Sequence, residues 1–162
     1  MAPARTAPET SHSPAAELVD ALHDATHAVL ARLTPELEAE GLSPCKFWTL
    51  YRLASGGAEH PKTIAYRLAV TMPSVTASAG QLVRDRLVER RRSETDRRGV
   101  LLEITPKGRD VLARVLRRLD VTMGHAFEGL PRTEVKAAAR TLAGMTVRLR
   151  ASEPAPPRGS PR

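Results

Sequence analysis

The sequence has little of what exported and membrane proteins depend on. One cysteine in 162 residues leaves no disulfide to form within the chain, and a lone thiol fits a reducing cytoplasm. No run of about 18 apolar residues occurs that would span a bilayer. The segment from Met1 to Pro14, interrupted by Pro3 and Pro8, holds no apolar signal core. A soluble cytoplasmic protein with no membrane partner is the expectation. Aromatic residues make up 3% of the chain against 41% hydrophobic residues, so the core must be built from Leu, Val and Ala, a balance that favours helices. No segment supplies a recognisable nucleophile, base and orienting group, so an enzyme is not expected. No cofactor is called for, and no repeat of fixed period is visible.

What the chain does have is positive charge in a particular place. Its 25 Lys and Arg outnumber 18 Asp and Glu, a formal net charge of +7. Residues 1–59 carry 4 basic and 8 acidic side chains (−4), residues 60–109 carry 11 and 5 (+6), and residues 110–162 carry 10 and 5 (+5). A basic middle suits a polyanion, because Lys and Arg that neutralise phosphates release condensed counterions. A solvated surface explains the same charge equally well, since a high isoelectric point reports on solubility and nonspecific association rather than fold.

Residues 1–14 and 151–162, rich in Ala, Pro, Ser and Thr or in Pro, Ser, Gly and Arg, read as disordered arms. Between them Leu18, Leu22, Val29, Leu33 and Leu37 recur at helical spacing, with Pro35 expected to kink this helix or to begin a second segment. Ser43 and Pro44 form an N-cap and first helical position for a second helix with Phe47, Leu50, Tyr51 and Ala54 on one face. Pro61 opens a short third helix with Ile64, Ala65 and Leu68 inward. Pro73 opens a fourth, to about Asp85, with Val75, Ala79 and Leu82 inward and Ser74, Thr76, Ala77, Ser78, Gln81 and Arg84 outward. Residues 87–92 and 100–104 then break the helical period, and alternation over the second predicts a two-stranded hairpin with an arginine-rich tip. Thr105 and Pro106 cap a fifth helix, and Pro131 introduces a sixth.

Two short helices joined by a tight turn, the second with small polar side chains outward, followed at once by a basic hairpin, have the order of a winged helix-turn-helix. A helix fits the major groove, where each base pair shows a distinct hydrogen-bonding pattern, and a narrow minor groove attracts arginine. Candidate DNA contacts are therefore Lys62, Pro73, Ser74, Thr76, Ala77, Ser78, Gln81 and Arg84, with Arg91, Arg92, Asp96, Arg97 and Arg98 from the wing. There Asp96 would hold a neighbouring guanidinium toward the groove.

On particular residues the sequence resembles the MarR (multiple antibiotic resistance regulator) family. They are Leu42-Ser43-Pro44, Pro73-Ser74-Val75-Thr76, Leu87-Val88-Glu89-Arg90, Asp96-Arg97-Arg98 and the run Leu102-Glu103-Ile104-Thr105-Pro106-Lys107-Gly108. The resemblance covers residues 42–150. It implies a mainly α fold, with a winged helix-turn-helix over 43–105 and a helical dimerisation region over 15–42 and 106–150. It also implies a homodimer that straddles a palindromic duplex operator, release by a small aromatic or anionic effector, and a repressor's role. The chain departs from its relatives where the fourth helix reads Ala77, Ser78, Ala79, Gly80 and Gln81 in place of a basic reader, and where Arg86 stands in place of a helix-ending Gly.

Three further groups invite a sensing role. His23 and His27 share a helix face at metal-ligand spacing, but no third ligand is identifiable, so no metal site is expected. Cys45, near the start of the second helix, is either a redox-sensitive thiol or a small packed residue. Trp48 and Arg52, four apart, offer a ring and a cation to an aromatic carboxylate, together with His23 and His27 in an effector cleft implied by the resemblance; the alternative is a core indole and a solvated charge. A nonspecific architectural DNA binder remains the rival to a sequence-specific one.

Overall fold

A computed structural model describes residues 13–93 and 99–152. Among these residues the order is α1 (Pro14–Glu38), α2 (Pro44–Gly56), α3 (Pro61–Leu68), α4 (Met72–Arg84), β1 (Val88–Arg92), β2 (Val100–Ile104), α5 (Pro106–Gly124) and α6 (Arg132–Ala151), with a short 3-10 turn at His125–Phe127. The chain divides into two compact units, one up to Thr122 and one from Met123 onward.

In the first unit the capping residues begin helices as their chemistry dictates. The Ser13 hydroxyl accepts from Ala16 N–H at 3.2 Å, that of Ser43 from Lys46 N–H at 3.3 Å, and that of Thr71 from Ser74 N–H at 3.4 Å. Each satisfies a donor that a helix start leaves without an intrahelical partner. Helix α1 is one helix through Pro35, so no separate segment begins after Thr34. The proline lies in the last turn, between the buried Leu33 and Leu37, and their packing holds that turn despite the missing N–H. Gly41 then adopts φ 67°, and Leu42 N–H donates to the Leu37 carbonyl at 2.9 Å, a helix stop that a left-handed residue permits.

Helix α2 buries Phe47, Leu50 and Leu53. Tyr51, expected on that inner face, is 39% exposed, because Leu53 completes the stripe and the fourth residue after Phe47 falls on its rim beside Trp48. The core gathers these side chains with Leu33, Leu37, Ile64, Val75, Leu82, Leu102 and Val115. Strands β1 and β2 pair antiparallel with Val88 opposite Ile104, Arg90 opposite Leu102 and Arg92 opposite Val100, within a residue of the expected hairpin. A third piece joins them that periodicity did not reveal: Glu59 bridges to Leu102. Glu59 N–H donates to the Leu102 carbonyl at 3.1 Å, and Leu102 N–H donates to the Glu59 carbonyl at 2.9 Å.

The start of α5 is fastened to the end of α4. Thr105 donates its hydroxyl proton to the Arg86 carbonyl at 2.8 Å and accepts from Gly108 N–H at 3.0 Å. Lys107 Nζ donates to the Asp85 carbonyl at 3.0 Å. Gly108 sits so close to the Leu87 carbonyl that any Cβ there would collide with it, which gives the Thr-Pro-Lys-Gly run a steric reason.

In the second unit α6 buries no residue. Leu142, Val147 and Leu149 are exposed along it, as are Phe127 and Leu130 before it.

Candidate nucleic-acid interface

The outer face of α4 is made by the residues that the inner stripe leaves over. Pro73, Ser74, Thr76, Ala77, Gln81 and Arg84 are exposed, as their spacing predicts. Ser78 is not: it is buried at 9% exposure, a correction to its placement among the outward side chains. The reason is helical geometry, since positions 75, 78, 79 and 82 form one stripe at three- and four-residue steps. Gly80 leaves its place on the helix open, and Arg84 Nη1 lies 3.7 Å from where a Cβ would stand. The guanidinium thus leans back over the preceding turn, toward the polar face. On α3, Lys62 is exposed as expected, and Tyr66, one turn later on the same face, is 51% exposed. Tyr66 and the 41% exposed Met72 were not singled out from the sequence, although the four-residue step from Lys62 to Tyr66 was available.

The helix that carries this face ends on a strained residue. Arg86 takes φ 60°, a left-handed conformation that costs a residue with a Cβ about 1 kcal/mol or more. In return Arg86 N–H reaches the Val83 carbonyl at 3.0 Å and Leu87 N–H the Leu82 carbonyl at 2.9 Å. The cap expected of glycine therefore forms with arginine.

Arg90, Arg91 and Arg92 follow consecutively on β1, all exposed. Arg91 pairs across the sheet with Glu103 at 3.1 Å, which fixes part of the basic strand. Asp96, Arg97 and Arg98, expected at the wing tip, lie outside the described residues.

The expected sensing residues are distributed differently from the sequence reading. Trp48 is 40% exposed and lines a cavity of about 430 Å³ with Pro44, Cys45, Arg67, Leu68 and Val70. The cation beside the indole is therefore Arg67, and Arg52 is turned elsewhere: its Nη2 donates to Glu59 Oε1 at 2.8 Å. The spacing of four places Arg52 near Trp48 along the helix, but its guanidinium is drawn to a carboxylate that lies outside the helix. Cys45 is half-buried on the cavity wall. His23 and His27 meet at a tilted angle with ring centroids 4.4 Å apart on an exposed stretch of α1, outside that cavity. No group of three metal-ligating side chains forms among the described residues.

A second charged cluster ties the turn after α1 to α5. Arg114 donates to both Glu40 oxygens at 2.9–3.2 Å, and Arg118 stands 3.5 Å from the same carboxylate. Hydrogen bonding from Arg114 holds the Glu40 carboxyl below the usual value of 4.5, against a smaller opposing effect of burial.

A sequence model of the MarR family matches residues 40–99. No curated protein matches the chain by sequence. Among solved structures, a MarR-family transcriptional regulator from Silicibacter pomeroyi is similar at TM-score 0.77 and 22% identity, over 91% of this chain and 100% of its own. The transcriptional regulator BldR from Sulfolobus solfataricus is similar at TM-score 0.72 and 26% identity, over 82% and 94%. NadR, solved in complex with 4-hydroxyphenylacetate, is similar at TM-score 0.75 and 21% identity, over 86% and 97%. The shared fold is the winged helix of MarR regulators, as expected from the sequence. No helix among the described residues is long and apolar enough to cross a membrane.

Proposed function

We propose that the chain is a DNA-binding transcriptional regulator of the MarR type, the family whose sequence model matches residues 40–99, and that it is a homodimeric repressor released from a palindromic operator by a small aromatic or anionic effector. The observation that carries this reading is the exposed polar face of α4 set beside the consecutive Arg90, Arg91 and Arg92 of β1. A polar helix of that kind suits the major groove, and the arginines suit phosphates and the minor groove next to it. Base contact falls to Ser74, Thr76, Gln81 and Arg84, and phosphate contact to Lys62 and the wing arginines, with Arg97 and Arg98 included by their sequence position. The dimer is supported by apolar residues left uncovered on α6 and on the first half of α1, where Leu18 and Val19 are exposed. A two-fold molecule would read half-sites about 34–36 Å apart. The effector draws support from the cavity beside Trp48 and from the bound 4-hydroxyphenylacetate of NadR.

Selection of bound duplex from a random pool tests the reading. A mirrored site is the expected result, with Gln81→Ala altering base preference and Arg98→Ala weakening binding and lowering the salt dependence by about one phosphate's worth. A chain that is monomeric at micromolar concentration, or a pool with no preferred sequence, overturns the proposal; the second result leaves a nonspecific architectural binder.

A further inference from the structure

Within Met72–Arg84 the guanidinium of Arg84 is the only charged group. Opposite the inner stripe of Val75, Ser78, Ala79 and Leu82 runs a line at three- and four-residue steps, Pro73, Ala77, Gly80 and Arg84. Pro73, Ala77 and Arg84 are exposed and Gly80 is half-buried. Three of these four side chains are small or absent, so the middle of the outward face is nearly bare backbone. The fourth folds back onto it: Arg84 Nη1 lies 3.7 Å from where a Cβ of Gly80 would stand, which carries the guanidinium about one turn toward the start of the helix.

Nothing inside the protein accounts for either feature. Glycine costs a helix interior more than any residue except proline. Yet a Cβ at Gly80 would meet nothing closer than ordinary contact distance, whereas one at Gly108 would collide with the Leu87 carbonyl. Arg52, Arg91 and Arg114 are each held by a carboxylate at 2.8–3.1 Å. Among the described residues no hydrogen bond or ion pair holds the guanidinium of Arg84.

We infer that Arg84 reads a guanine in each half-site, and that Gly80 is the seat that lets its guanidinium lie along the helix while the base edge approaches the backbone. This rests on the reading of α4 as the major-groove helix and adds the base and the residue pair that selects it. The chemistry selects guanine. A guanidinium is a planar fork of donors with no acceptor. In the major groove guanine alone sets two acceptors, O6 and N7, side by side; adenine sets a donor beside N7, cytosine offers a donor, and thymine one acceptor and a methyl group. The position selects the base edge over the backbone, since the line through Pro73, Ala77 and Gly80 faces directly away from the core, and phosphates flank the groove that such a line enters.

The test selects bound duplex from a random pool with the full-length wild type, Arg84→Ala and Gly80→Ala. The wild type should select a guanine at a matching place in both half-sites. Replacing that G·C pair by A·T should weaken wild-type binding about 5- to 150-fold, the discrimination of one bidentate pair. Arg84→Ala should bind the two duplexes alike while its preferences elsewhere in the site persist. Gly80→Ala should raise the urea midpoint, because a methyl group there is unobstructed and favours the helix, and should still reduce the same discrimination. A merely structural glycine would not combine greater stability with poorer reading. A selected site without the guanine, a guanine preference that survives Arg84→Ala, equal weakening of both duplexes by Arg84→Ala as a phosphate contact would give, or full discrimination in Gly80→Ala overturns the inference and leaves the regulator reading standing. A wild type that selects no sequence at all overturns both.

Discussion

Residues 13–122 and residues 123–152 carry apolar side chains at the same helical spacing and treat them in opposite ways. In the first region Leu37, Leu50, Leu53, Ile64 and Leu82 are fully buried in a core that α1, α2, α3, α4, the wing and α5 share. In the second, α6 buries nothing, although Val135, Leu142, Met145 and Leu149 follow one another as regularly as the residues of α2. Each fully buried Leu contributes about 1.5–3 kcal/mol, so the first region is stabilised by its own packing and the second lacks any comparable source within itself. Periodicity identifies the apolar face of a helix; it is silent on whether the covering surface belongs to the same chain.

Paired glycine substitutions test this contrast with the largest effect. Gly108→Ala places a methyl group against the Leu87 carbonyl and should cost about 3 kcal/mol by urea denaturation, the upper part of the usual overpacking range. Gly144→Ala, where nothing stands within 4 Å, should instead stabilise α6 by up to about 1 kcal/mol through helix propensity. If Gly144→Ala destabilises the protein in a concentration-dependent manner, a second copy occupies that face and the open surface of α6 is an interface.

A smaller effect of opposite sign is expected within the first region. Arg86→Gly relieves the left-handed strain and should raise stability by about 1 kcal/mol, with oligomeric state unchanged. A loss of stability there would mean that the Arg86 side chain, rather than its backbone, holds the end of α4.

The smallest effect is electrostatic. Glu40 is more acidic in the folded chain than in the unfolded one, so it contributes stability above the ordinary carboxyl value and loses that contribution as pH falls through the folded value. Glu40→Gln should therefore lower the melting temperature slightly at neutral pH and flatten its fall below about pH 4.5. An unchanged acid limb would remove the Glu40–Arg114 pair from the account of how α1 and α5 hold together.

Much of the first region was legible because its signals are local. Ser43-Pro44 and Thr105-Pro106 begin helices where their caps predict, and the wing strands match the alternation of Val100, Leu102 and Ile104. What escaped the sequence depends on groups distant along the chain or on the exact turn of a helix. Ser78 is polar and small, so nothing in its identity shows that it falls in the inner stripe. Arg52 looked like a partner of Trp48 until Glu59, seven residues on, claimed it. Glu59 itself was invisible as a strand partner because a single bridge has no period. The role of Gly108 is also nonlocal, since the carbonyl that forbids a side chain there belongs to Leu87.

The Thr105 hydroxyl sits where two backbone segments meet, giving its proton to the Arg86 carbonyl after α4 and receiving one from Gly108 N–H in α5, while Gly108 itself rests against the neighbouring Leu87 carbonyl. Such a joint works like a welded plate: with the Lys107 Nζ bond to the Asp85 carbonyl, it fixes the base of α5 to the tail of α4 at three consecutive residues. Any tilt of the first turn of α5 would therefore have to break these contacts or carry the end of α4 with it.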